Sequence, residues 1–204
     1  MRVVIASNNA GKLREFRELL APSGLDAFPL SDFTPAQADE TGLSFVENAL
    51  LKARHAARAS GLAAIADDSG IVVDALDGAP GIHSARFAGP NANDAANNRL
   101  LLSRLDGLKD AQRNAHYHCA LVFIRHAEDP TPLICEGRWH GRVLTAARGT
   151  GGFGYDPLMF FAELGKTAAE LDSTTKNHCS HRGQALRALL AALAEQQTRL
   201  RSNA

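Results

Sequence analysis

Apolar residues come in two kinds of run along this chain, short blocks and one-sided stripes. Val3, Val4 and Ile5 form a block of strand length, and Leu13, Phe16, Leu19 and Leu20 fall on one helical face. Strand, short polar turn and helix make an α/β opening. Pro22 and Gly24 end that helix, and residues 25–30 suit a second strand. Residues 31–43 read as an irregular loop. Ser44 with Glu47 forms a capping box that predicts a helix from Phe45 to Ser60, stopped by Gly61.

Leu62 to Ala66 reads as a strand, DDSG at 67–70 as a turn that breaks it, and Ile71 to Leu76 as its resumption. DGAPG is a turn, ARFAGPNAND is irregular, and Ala95 to Leu105 suits a helix. His116–Arg125 and Pro132–Arg138 read as paired strands, extended by Trp139–Leu144 into an antiparallel lobe beside the α/β core. A glycine-rich loop, TGGFGYDP, then leads into a strand. A last helix runs from His181 to Glu195, with Leu186, Leu189, Leu190 and Leu193 on its apolar side, and TRLRSNA reads as a polar, frayed tail.

The 204 residues allow one large domain or two small lobes. Lys and Arg number 22 and Asp and Glu 22, so the formal charge is zero. That balance argues against a broad nucleic-acid or membrane surface, which needs a positive footprint. No run of eighteen apolar residues occurs and no signal-peptide pattern is evident, so a cytoplasmic protein is expected. Three widely spaced cysteines, Cys119, Cys135 and Cys179, form neither a disulfide framework nor a zinc pattern. His116 and His118 share a strand face without a third ligand.

Three polar segments carry candidate chemistry. Ser7, Asn8, Asn9, Ala10, Gly11 and Lys12 stand where a strand hands over to a helix, whose first amides and dipole favour an anion. Lys12 adds a mobile charge suited to phosphate. The spacing is neither the Walker pattern nor the dinucleotide fingerprint, and an ordinary capped turn would use the same residues. Lys52, one turn beyond Glu47, is either a surface lysine or a second cation for the same ligand.

Asp67 and Asp68 are adjacent acids, which an extended chain points to opposite sides, one toward a ligand and the other toward the turn or solvent. Mg2+ shared with a phosphate ligand would offset their repulsion, with Asp39 or Glu40 adding a ligand. One carboxylate can take a proton from water attacking phosphorus. Two turn acids, one of them hydrogen-bonded to the amide of Ser69 or Gly70, are the plainer reading. The third segment, GGFGYDP, joins flexible glycines to Phe153, Tyr155 and Asp156, and Lys176, His181 and Arg182 follow. Rings can stack on a base, and donors suit a purine carrying oxygen at C6 better than adenine.

In order, SNNAGK, DETG before FVENALLKARHA, IADDSG, GAPGIHSARF, TGGFGYDP and SHRGQAL resemble the inosine/xanthosine triphosphate pyrophosphatase family, also called Ham1-like, from residue 2 to about 195. That resemblance implies an α/β fold with an elongated mixed sheet flanked by helices, two lobes around a central nucleotide cleft, and a homodimer. It implies one catalytic domain over residues 1–198 followed by a tail at 199–204. The implied activity is Mg2+-dependent hydrolysis of XTP, ITP and dITP to the monophosphate and pyrophosphate.

Carried onto this chain, Ser7 to Lys12 and Lys52 meet the triphosphate, and Asp68 is the proton acceptor and a metal ligand. Asp39 or Glu40 is the other metal-side acid, and Ser69 contacts the nucleotide. Phe153, Gly154, Tyr155, Asp156, Lys176, His181 and Arg182 hold the purine. The chain departs from the family pattern at Ser7-Asn8-Asn9, where Thr-Gly-Asn is common, and at Cys179, where an aliphatic residue is usual. Alternatives are a pyrophosphatase for modified pyrimidine or methylated nucleotides and a nucleotide-binding regulator without turnover.

Overall fold

The computed structural model describes residues 1–7 and 9–202. In chain order the elements are β1 (Arg2–Ile5), α1 (Ala10–Leu20), β2 (Asp26–Pro29), α2 (Phe45–Ser60), β3 (Ala63–Val73), α3 (Asp94–Arg104), β4 (Asn114–Ile124), β5 (Leu133–Val143), β6 (Met159–Phe161), β7 (Lys166–Thr167), α4 (Ser173–Cys179) and α5 (His181–Ser202). The strands form one seven-stranded sheet in the order β2-β1-β3-β4-β5-β6-β7. β1 lies parallel to β2 and to β3, whereas β6 is antiparallel to β5 and to β7. The fold is therefore α/β with a mixed sheet flanked by helices.

The chain divides into two compact units. One comprises residues 1–68, 119–137 and 182–204, the other residues 69–118 and 138–181. In the first unit the strand residues alternate between two cores. Val3, Ile5, Ile65, Cys119, Leu121 and Phe123 pack with Phe16 and Leu20 of α1 and with Ala185, Leu186, Leu189 and Leu193 of α5. Val4, Ala6, Ala64, Ala66, Val122 and Ile124 pack with Ala49, Ala53, Ala56 and Ala57 of α2. Strands covered on both faces must be apolar throughout, which is why VVIA and AAIA read as blocks and not as alternations. The alanine face of α2 brings that helix close to the sheet.

The second unit has its own core of Ile71, Val73, Leu101, Leu105, Tyr117, Trp139, Tyr155, Leu158, Met159 and Phe161. Trp139 and Phe161 stack with centroids 3.5 Å apart.

Several sequence expectations change. DDSG does not break a strand, because β3 runs unbroken through residues 67–70. Its fully buried flanks, Ile65 and Ile71, hold the acids inside the sheet. The two strand pieces at 132–144 are one strand, β5, within the common sheet. α4 escaped the pattern because its seven residues, STTKNHC, contain no apolar stripe. α5 continues through the segment expected to fray, as far as Ser202. Asn8, in the expected phosphate turn, lies outside the described residues, as do residues 203 and 204 of the expected tail.

Candidate active site

Period-two geometry sends the two central acids to opposite faces of β3. Asp67 shares the face of Ile65, under α1 and α5. Lys12 of α1 contacts its Oδ2 at 2.9 Å, and the Arg182 guanidinium of α5 reaches the same oxygen at 3.3 Å. Arg182 also pairs with Glu15 of α1. Asp68 shares the face of Ala66, under α2. Lys52 Nζ donates to its Oδ1 at 2.7 Å and to Glu40 Oε1 at 3.1 Å. Asn48, fully buried one helical turn before Lys52, places its Nδ2 3.4 Å from Asp68 Oδ2 and accepts from the Gly42 amide at 2.8 Å.

Both acids are buried, Asp67 at 1 % and Asp68 at 5 % exposure, so of the turn and solvent settings open to the second acid, solvent does not apply. Their titration nevertheless diverges. Burial pushes Asp67 up, but Lys12, Arg182 and Lys52 together more than reverse it and hold the carboxyl well below the usual range. At Asp68 burial prevails over the attraction of Lys52 and Lys12, and Glu40 adds repulsion, so its carboxyl is raised. Lys52 is itself raised: burial opposes its charge, but Asp68, Asp67 and Glu40 outweigh that cost. One ammonium between two carboxylates leaves Asp68 undercompensated.

That imbalance bears on a metal. Glu40 and Asp68 are hard oxygen donors converging on one cation, and Mg2+ is commonly held by one or two carboxylates plus substrate phosphates. Among the described residues no group of three or more metal-ligating side chains occurs. The pair suits an ion that completes its shell with phosphate and water. Asp39 is exposed, and of the two acids left open by the sequence it is Glu40 that shares the Lys52 ammonium with Asp68.

In the opening turn, Ser7 Oγ accepts from the Asn9 amide at 3.2 Å, and Asn9 caps α1 by accepting from the Lys12 amide at 3.0 Å. The capped turn and the lysine are thus both present, with Lys12 held against Asp67. Ala10 and Gly11 supply the exposed and half-exposed first turn of α1.

In the second unit the expected base-side residues form a connected set. Asp156, at 4 % exposure, accepts from Lys176 Nζ at 2.6 Å, the Tyr117 hydroxyl at 3.0 Å and the Phe153 amide at 2.9 Å. The Lys176 ammonium also lies 4.7 Å from the Phe153 ring centroid. His181 stacks on Tyr117 with centroids 4.9 Å apart. Asp156 therefore organises the loop, and Phe153, half-buried, is the ring left at its surface. Tyr155 is a core anchor whose hydroxyl donates to the Ser84 carbonyl at 2.8 Å. Gly152, at φ 72°, sits against the Asp156 carboxylate, where a Cβ would collide.

Ser69, half-exposed, precedes Gly70 in β3. Gly70 is obligatory because Ser84 Oγ and the Gly81 carbonyl occupy the place of a Cβ. Ser84 in turn accepts from the Ile71 amide at 3.0 Å. Arg182 has the acids Asp67 and Glu15 as partners, a setting the purine-side expectation did not include.

Sequence reasoning missed Glu15, Asn48, Ser84 and Tyr117. Glu15 and Asn48 had a usable signal: each is a polar residue on the stripe that its helix buries.

The Ham1 family model matches residues 3–192. The dITP/XTP pyrophosphatase of Thioalkalivibrio sulfidiphilus is 57% identical over 193 residues, 95% of this chain and 98% of that protein. The dITP/XTP pyrophosphatase of Shigella flexneri is 57% identical over 192 residues, 94% and 98% of the two chains. Among solved structures, a HAM1 protein from Coxiella burnetii matches with a TM-score of 0.88 and 46% identity, covering 96% of this chain and 99% of its own. The Staphylococcus aureus Ham1 protein matches at 0.84 and 37% identity, covering 96% and 100%. On family model, relatives and fold alike, the chain belongs to the Ham1 family.

Proposed function

We propose that this chain hydrolyses the non-canonical purine nucleoside triphosphates XTP, ITP and dITP to the monophosphate and pyrophosphate, keeping them from polymerases. The observation that carries the reading is the opposed arrangement in β3, where Asp68 with Lys52 and Glu40 backs on to Asp67 with Lys12. Relatives at 57% identity named dITP/XTP pyrophosphatase support the substrate class.

In this proposal water attacks the α phosphorus. A new O–P bond forms, the bridging bond from the α phosphorus to oxygen breaks, and pyrophosphate leaves with the bond electrons. Asp68 takes the proton of the attacking water, and its raised affinity for a proton suits a base. Lys12 and Lys52 offset charge on the triphosphate, and Ser7, Asn8, Asn9, Ala10 and Gly11 supply the turn that meets it. Asp68 and Glu40 would hold Mg2+, which when bound neutralises phosphate charge.

Ser69 contacts the nucleotide. Phe153 offers a stacking surface, and Gly154, Tyr155 and Asp156 shape the loop. Lys176, His181 and Arg182 direct donors to the purine oxygen, with Arg182 held by Glu15 and Asp67. Donors left unpaired by adenine would disfavour it. Residues 1–198 would act as one catalytic domain and assemble as a homodimer in the cytoplasm. Among the described residues no helix is long and apolar enough to cross a membrane.

The test is turnover of ITP by purified protein with and without Mg2+, resolving the products. Release of inosine monophosphate and pyrophosphate is expected. Orthophosphate without pyrophosphate would refute the reading.

A further inference from the structure

The segment NANDAANN, residues 91–98, is unusually polar for the start of a helix that packs on a core. Each of four side chains has a distinct bond. Asn93 caps α3 by accepting from the Ala96 amide at 2.9 Å. Asn97, at 2 % exposure, accepts from the Ala88 amide at 2.8 Å and donates to the Ala85 carbonyl at 3.1 Å, which fastens α3 to the turn before it. Asp94 and Asn98 stand one helical turn apart, the spacing that puts two side chains on one face. They grip a single residue of the glycine-rich loop. Asp94 Oδ2 accepts from the Gly154 amide at 2.7 Å, and Asn98 Nδ2 donates to the Gly154 carbonyl at 3.0 Å.

Gly154 lies between Phe153 and Tyr155, at φ 62°. A residue held through both its amide and its carbonyl has little freedom to rotate either flanking peptide plane. The Phe153 side of the loop is tied separately, by its amide to Asp156 at 2.9 Å. Tyr155 is tied by its hydroxyl to Ser84. The α3 clamp completes this fixation at the glycine between the two aromatic residues, where the backbone would otherwise be loose.

We propose that Asp94 and Asn98 are positioning residues that set the aspect of the Phe153 ring presented to a purine. The proposal rests on the base-side role given above to the GGFGYDP loop. Fixing a ring before binding removes an ordering cost that would otherwise weaken affinity. The clamp therefore acts on base recognition and not on the attack at phosphorus.

The experiment compares the wild type with Asp94→Ala, Asn98→Ala and Asp94→Asn, the last retaining an acceptor for the Gly154 amide. Each alanine variant should raise KM for ITP about three- to tenfold, the range of one lost hydrogen bond, with kcat within about twofold. Inhibition by inosine monophosphate should weaken similarly and inhibition by inorganic pyrophosphate should not. Asp94→Asn should restore the wild-type KM.

Amide hydrogen exchange of residues 151–156 should quicken in both alanine variants. Unchanged exchange would overturn the clamp. Faster exchange with unchanged KM and unchanged monophosphate inhibition would overturn the positioning role. If Asp94→Ala does not fold, Asn98→Ala decides alone, since it leaves the acidic first turn of α3 intact. A wild type inactive on ITP would refute the function proposed above, while exchange would still judge the clamp.

Discussion

Asp67 and Asp68 are covalent neighbours that never share a face: Asp67 is bound by Lys12 at 2.9 Å and Asp68 by Lys52 at 2.7 Å. One strand thus carries two lysine–aspartate pairs into two different cores. The acids differ in how well each is compensated. Asp67 has Lys12 and Arg182 and is held ionised, whereas Asp68 shares Lys52 with Glu40 and burial raises its carboxyl above the usual value. The chemistry belongs with the undercompensated one.

Asp68→Asn should lower kcat for ITP by about 10²- to 10⁴-fold, the usual contribution of a positioned base. It should not unfold the protein. An acid whose folded pKa is raised above its unfolded value weakens folding once ionised, so the neutral amide should leave the melting temperature equal or higher at pH 7. Turnover and a thermal melt on the same preparation decide this, and near-normal kcat would dismiss the assignment.

The two acids of the 31–43 loop should separate under a Mg2+ titration. Glu40→Gln removes an oxygen donor beside Asp68 and should raise the half-saturating Mg2+ concentration by at least about tenfold, the loss already typical of an outer-shell partner. Asp39 is exposed, and Asp39→Asn should leave the titration unchanged. Chelation with EDTA should abolish turnover in all three proteins. The reverse ranking of the two variants would move the metal-side role to Asp39.

Cys119 should resist thiol reagents in the native protein. It is fully buried, and burial, reinforced by Asp67, pushes its thiol up to about 12. At pH 8 almost no thiolate is present. Iodoacetamide followed by peptide mass analysis should find Cys119 unmodified until denaturant is added. Rapid native labelling at this position would show that the α1 and α5 face of the sheet opens readily.

The connection between β4 and β5 should make stability depend on acid. Asp129 accepts from the Arg125 amide at 2.9 Å, the Arg125 guanidinium at 2.6 Å and the Thr131 amide at 3.0 Å. The Arg125 side chain, with both amides, holds its carboxyl well below the usual range. The stabilisation is present above the unfolded pKa, about 3.9, and fades as pH falls toward the lower folded value. Asp129→Ala should cost about 2 kcal/mol at pH 7 and clearly less at pH 3. Urea midpoints at the two pH values measure the difference, and equal midpoints at pH 7 would exclude the effect.

Much of the fold was legible because local rules operate in it. Ser44 caps α2 as its capping box predicts, accepting from the Glu47 amide, and Gly61 follows the last turn. The loss of signal in β3 has a clear cause. Polarity at DDSG reads as a turn only when the acids need water, and here lysines and an arginine replace water inside the sheet. β5 was read in two pieces because its outward positions, Glu136, Arg138 and His140, are polar and exposed, while Trp139 and Val143 between and beyond them are buried.

Amino-acid order alone establishes the residue types on which the site rests: adjacent acids in an apolar block, lysines at helical positions, and a glycine loop with aromatics. It also carried the family resemblance, because ordered motifs survive without coordinates. Which residues pair is set by how the helices pack on the sheet. Lys12 goes to Asp67 and Lys52 to Asp68, Glu40 approaches Lys52 where Asp39 does not, and Asp156 gathers Tyr117 and Lys176. The reason is physical. Alternation along a strand is a local property, but the partner on each face comes from a helix 16 to 115 residues away, and burial against those partners then moves the two carboxyls in opposite directions.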